Sequence, residues 1–177
     1  TFDLVLFGAY TRLSDSGLGC PDWPGCYGQA TPIGASAQIQ AAQDLMPTGP
    51  VTHGKAWVEM LHRYLATGVG GLILVLCAGA WWLRLQGHPK RSVWWPTFTL
   101  LWVCIQGAFG ALTVTMKLFP AIVTLHLLGG VFLLGLLAWQ ATQAPDAAPV
   151  AGAAAHKGLR TALALAGGLL WMQIALG

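Results

Sequence analysis

Formal charges divide the chain into long apolar runs. Residues 64–83, 92–116 and 118–145 carry none, and only His126 and a polar tail break the apolar character of the third. A helix needs about 20 apolar residues to cross a hydrocarbon core ~30 Å thick, so the pattern predicts three complete spans, at 57–83, 96–116 and 120–140. Two further apolar runs are shorter. Residues 4–11 are too few to cross, and 161–177 stops inside an apolar stretch. With Thr at position 1, we expect the chain to enter late in one span (1–13) and to leave early in another (161–177), although Asp3 sits awkwardly in the first. A secretory signal fits this N-terminus poorly, because it lacks a basic n-region and a small-residue cleavage site. The expected fold is an all-α integral membrane protein: a four-helix transmembrane bundle whose first helix is truncated, plus the start of a fifth helix.

Composition agrees. Of 177 residues, 55% are apolar and 8% charged, against about 25% charged in soluble domains. That excludes a water-soluble enzyme, and the hydrophobicity excludes a disordered chain. The lipid bilayer is the expected solvent. A net charge of +3, mild and scattered, argues against nucleic acid as a partner.

The polar segments set the orientation. The connector 84–95 includes Arg84, Lys90 and Arg91 with no acid, and 141–160 ends on Lys157 and Arg160. Both are expected on the cytoplasmic side, the second as a Pro- and Ala-rich linker. The long loop 14–56, with Asp15, Asp22 and Asp44, and the turn 117–119 then lie outside. Long loops tend to be functional or partly structured. Residues 35–46 have helical composition, with Ile39, Ala42 and Met46 along one face, as in an interfacial helix or an ordinary surface helix. Cys20 and Cys26 flank a turn-forming Pro-Asp-Trp-Pro-Gly insert. On an oxidising side a disulfide is the natural outcome; the alternatives are free thiols or a metal pair, for which the spacing is wider than zinc sites use.

Chemistry rests on ionisable groups near the spans. His53, His88 and His156 fall in loops, whereas His62 and His126 sit near the starts of two spans running in the same direction. With helix starts near Trp57 and Pro120, both lie about 8 Å below one membrane face. Two imidazoles at equal depth can hold one metal from opposite sides, and imidazole is a common haem-iron ligand. Each alone can equally serve a hydrogen bond between helices. Gly129 and Gly130 beyond His126, and Gly68, Gly70 and Gly71 beyond His62, leave room for a flat macrocycle or for plain helix packing. Glu59 precedes His62 by one turn on the same face. A carboxylate there is a functional candidate, and Arg63 offers it an ordinary ion pair. Arg12, Lys55, Arg63 and Lys117 gather on the outer side, where they can receive carboxylates such as haem propionates or anchor helix ends.

The run from Thr11 to Cys26, the Glu59-Met60-Leu61-His62-Arg63 signature, the stretch 107–115 and Thr124-Leu125-His126-Leu127 together resemble the haem A synthase family over nearly the whole chain. The resemblance is to bacterial members with a loop cysteine pair, and to their amino-terminal half. It implies an oxidoreductase of the bacterial inner membrane that oxidises the C8 methyl of haem O to a formyl group, making haem A for cytochrome oxidase. It implies His62 and His126 as axial ligands of the substrate haem, Glu59 as the catalytic acid residue, and a Cys20–Cys26 pair; Arg12, Arg63 and Lys117 stay the candidate outer-side contacts read from the charges. A haem b would belong to a carboxy-terminal half, without which this piece is expected to be inactive. Haem O synthase and an electron donor are the expected protein partners. The rival readings are a bis-His membrane cytochrome of b type that only passes electrons, a transporter half, and a non-catalytic assembly subunit.

Overall fold

The computed structural model describes residues 1–87, 92–143 and 157–176. Six helices account for most of them: α1 (Phe2–Leu13), α2 (Ser36–Leu45), α3 (His53–Leu85), α4 (Trp94–Thr115), α5 (Pro120–Thr142) and α6 (Lys157–Leu176). Among the described residues there is no strand, only an isolated bridge between Cys26 and Gln29. The fold is all-α, as the charge pattern predicts. Helices α3, α4 and α5 are each long and apolar enough to cross a membrane. His88, Lys90 and Arg91 of the basic connector, and the linker at 144–156 with His156, lie outside the described residues.

Helix α3 starts one turn before the expected 57. The Thr52 side chain accepts a hydrogen bond from the Lys55 N–H at 3.3 Å, which satisfies a donor that a helix start leaves free. His53, expected in a loop, therefore opens the helix; its N–H donates to Gln43 Oε1 at 3.0 Å and its ring meets Gln40 Oε1 at 3.1 Å. The 33 residues of α3 rise about 50 Å at 1.5 Å each. That exceeds the hydrocarbon core, so its first turns project into the loop region.

The helices close a ring. Helix α1 packs on α3, α3 on α4, α4 on α5, and α5 back on α1, while α3 and α5 face each other across the diagonal without packing together. Helix α2 lies on α3, and α6 lies on α5. Few side chains in the three spans are buried, because most face the surroundings of the bundle. Polar bonds stitch neighbours together instead. Trp81 Nε1 donates to Thr97 Oγ1 at 3.0 Å (α3 to α4), and Gln140 Nε2 donates to Thr99 Oγ1 at 2.6 Å (α5 to α4). Trp102 Nε1 reaches the Gly129 carbonyl at 3.0 Å. In lipid such bonds replace the hydrophobic force that water would supply.

The segment between α1 and α3 folds into a cap with its own core. Cys20, Cys26, Ala35 and Ile39 are fully buried against Ala56 and Met60 of α3, with Tyr27 and Val51 packed around them. On α2, Ile39 points inward while Met46, past the helix end, is exposed, so the expected apolar face is shorter than its spacing implies.

Candidate functional site

The Cys20–Cys26 disulfide is formed. Its ring is shaped by Asp22, whose two carboxylate oxygens accept the N–H groups of Tyr27 and Gly28 at 2.5 and 2.6 Å. Those two residues have φ of 50° and 71°, the left-handed pair of a tight reversal, and Cys26 and Gln29 exchange backbone bonds across it at 2.8 and 2.9 Å. Tyr27 is not a residue that adopts this region freely; the Asp22 carboxylate holds it there.

Arg63 anchors this ring to α3. One guanidinium nitrogen donates to the carbonyls of Asp22 (2.9 Å), Pro24 (3.2 Å) and Gly25, and the other pairs with Glu59. The second carboxylate oxygen of Glu59 accepts the Cys20 N–H at 2.7 Å. Glu59 is 4% exposed, so this carboxylate is taken out of solvent and fully engaged. The ordinary ion pair that the sequence offers is thus present, with a bond to the loop that the sequence does not announce. Lys55 is engaged as well, with Asp15 at 2.6 Å and the Gly49 carbonyl at 3.1 Å. Of the cations expected on the outer side, Arg12 and Lys117 are exposed. Lys117 lies in the turn between α4 and α5, where it and Leu118 have φ of 50° and 60°.

His62 on α3 and His126 on α5 stand on the two helices at opposite corners of the ring. In both, Nδ1 is buried and has no hydrogen-bond partner. Each ring rests on a glycine of a neighbouring helix. A Cβ at Gly8 would stand 3.0 Å from His62 Cε1, and one at Gly110 would stand 3.4 Å from His126 Cε1. Phe7 lies parallel to the His62 ring, centroids 6.3 Å apart. The glycines singled out in the sequence play other parts. A Cβ at Gly68, Gly70, Gly71 or Gly130 would meet nothing, and Gly129 is packed by Gln106. Gly8 and Gly110 carry no local signal for their role, since only the packing of α1 on α3 and α4 on α5 reveals it.

These residues fit a haem. Two buried imidazoles, each with an unpartnered Nδ1, would supply an axial pair, with the equatorial nitrogens coming from the macrocycle. A bare ion is a poorer match, because among the described residues no group of three or more His, Cys, Asp or Glu gathers to hold one.

Comparison with known proteins agrees with the motifs. Over 137 residues the chain is 49% identical to a haem A synthase of Shewanella oneidensis, covering 77% of this chain and 40% of that protein. A haem A synthase of Rhizorhabdus wittichii is 27% identical over 200 residues, covering 99% of this chain and 55% of its own length. One from Halalkalibacterium halodurans is 26% identical over 124 residues, 70% of this chain and 35% of that protein. The chain spans about half the length of these relatives or less. No solved structure matches. The family model for COX15-CtaA, described as cytochrome oxidase assembly protein, matches residues 1–177. The chain belongs to the COX15-CtaA family.

Proposed function

We propose that this chain is the substrate-haem half of a bacterial haem A synthase, an oxidoreductase that converts the C8 methyl of haem O to a formyl group. The observation that carries the reading is the pair of buried imidazoles, His62 and His126, each with an unpartnered Nδ1, on the two helices at opposite corners of the ring. They would hold the iron of the bound substrate, which would supply the oxidising capability. Arg12 and Lys117 take the propionates at the outer rim, because Arg63 and Lys55 already have protein partners. Glu59 lies one turn from His62, between the reacting edge and the cap that its carboxylate holds. With both oxygens accepting bonds already, it serves better to stabilise positive charge at the methyl carbon than to accept a proton. The cap limits water at that edge. In this reading the cap lies outside the inner membrane, the electron donor and haem O synthase are the protein partners, and a haem b resides in the remainder of the synthase.

The test is spectroscopic. His62→Ala and His126→Ala should each abolish the low-spin bis-His spectrum of haem bound to this half, with helix content unchanged by circular dichroism. Unaltered spectra in both variants would overturn the ligand assignment. Glu59→Gln keeps the size while removing the charge and turning one of the two accepting oxygens into a donor. In the full-length protein it should retain haem and accumulate haem O or a part-oxidised alcohol, whereas a normal haem A yield per bound haem would assign Glu59 to structure alone. A full-length protein that binds haem with both histidines but never yields a formyl group would be an electron-transfer cytochrome.

A further inference from the structure

Gln106 lies mid-way along α4, inside a span, and is 7% exposed. Its Oε1 is buried without a partner, a costly condition in a medium that offers no water. The amide occupies the place where a Cβ on Gly129 of α5 would stand. Gln106 also borders an apolar groove of about 440 Å³, lined by Ile105, Phe109, Leu125, Leu128 and Trp171 among others. That groove shares Phe132 and Trp171 with a second of about 550 Å³, which continues to Trp95 and Trp139. Both are open grooves along the helix seam rather than closed cavities, suited to an extended chain. Together they form an apolar track between α4, α5 and α6 with one polar acceptor near one end. Gly129, which lines it, is one turn from His126, about 4.5 Å along the axis.

We propose that this track receives a hydroxylated prenyl chain whose hydroxyl donates to Gln106 Oε1, and that the chain is the arm carried on the ring of O- and A-type haems. The inference rests on the haem reading above and extends it to the rest of the ligand. One acceptor at the head of a long apolar groove calls for a ligand with one donor at the head of a long apolar tail. A lipid acyl chain brings no donor, and a water molecule needs two to four polar partners. The position agrees too. In these haems the hydroxyl sits on the carbon joined to the macrocycle, so it lies near the ring edge, and Gln106 meets α5 one turn from the iron ligand. Axial ligation and propionate contacts still leave the macrocycle two orientations, related by a flip about the axis through its propionate edge. Pinning the arm selects one of them and fixes which methyl lies nearest Glu59.

The experiment titrates the purified protein with haem O and with protohaem, which carries a vinyl group in place of the arm, and follows the Soret band. Wild type should bind haem O about tenfold or more tightly than protohaem, as a hydrogen bond and a buried chain together imply. Gln106→Leu should cut haem O affinity about tenfold and leave protohaem affinity within about twofold. Leu128→Trp, which fills the groove, should weaken haem O alone. Equal affinities in wild type, or equal losses for both haems in both variants, would overturn the arm site while leaving the bis-His reading intact. Failure of either haem to give a bis-His spectrum in wild type would overturn the haem reading, and this inference with it.

Discussion

The cap and the spans are built for different solvents. The cap buries Cys20, Cys26, Ala35 and Ile39 completely in a small core against Ala56 and Met60. The spans bury few side chains and are joined by Trp81–Thr97, Trp102–Gly129 and Gln140–Thr99 bonds. In water, removing apolar surface is the driving force, and a segment this short gains little from it, so a disulfide and a buried ion pair complete the cap. In lipid the tails are as apolar as Leu, which leaves packing and polar bonds to decide which helices meet. Glu59 and Arg63 tie the two regions together, since they belong to α3 and hold the backbone of the loop.

The largest effect should come from breaking that tie. Arg63→Met leaves Glu59 buried without its cation and releases three loop carbonyls, at a cost of about 3–5 kcal/mol. Hydrogen exchange should then speed up across residues 20–29, with the amides of α4 and α5 unchanged. Equal loosening of α4 and α5 would show that cap and bundle fold as one unit.

A matched pair of truncations sharpens the contrast. Ile39 in the cap and Ile73 in α3 are 0% and 3% exposed. Ile39→Ala should cost about 3 kcal/mol, with transfer and cavity terms both acting. Ile73→Ala should cost about 1 kcal/mol, because only packing is lost in lipid. Urea unfolding of the cap and titration of the bundle with a denaturing detergent read the two. Equal costs would remove the distinction.

Replacing Cys20 and Cys26 by Ser should destabilise the cap by about 2 kcal/mol through the greater freedom of the unfolded loop. Protease nicking within 14–52 should rise while the far-ultraviolet helix signal of the bundle holds. Labelling of both wild-type thiols by a maleimide without reductant would contradict the bonded pair. The smallest effect is expected for Trp81→Phe, which removes one interhelical bond worth roughly 0.6 kcal/mol. A shift several times larger in detergent titration would mean that the α3–α4 seam depends on that bond alone.

Much of the architecture was legible because membrane spans are a local property. Charge-free length alone placed α3, α4 and α5, and the Pro120 start of α5 followed from the fixed φ of proline, which suits a first helical turn. The start of α3 at His53 was missed because it depends on the Thr52 side chain capping the helix, a weaker signal than the run of apolar residues after Trp57. The same separation holds at the site. Glu59 and His62 share a face by helical arithmetic, which needs no tertiary contact.

By itself, then, the sequence determined how many helices can cross, which cysteines can pair, and which ionisable groups enter the spans. Each follows from neighbours along the chain or from a fixed helical repeat. Only the tertiary structure decided that α3 and α5 stand on a diagonal, that Gly8 and Gly110 carry the imidazoles, and that Gln106 keeps an unpartnered oxygen beside Gly129. It also decided that Arg63 serves loop carbonyls some forty residues earlier, with Glu59 bound to Cys20. These are contacts between segments far apart in the chain, and no periodicity records which residue of one helix meets which residue of another.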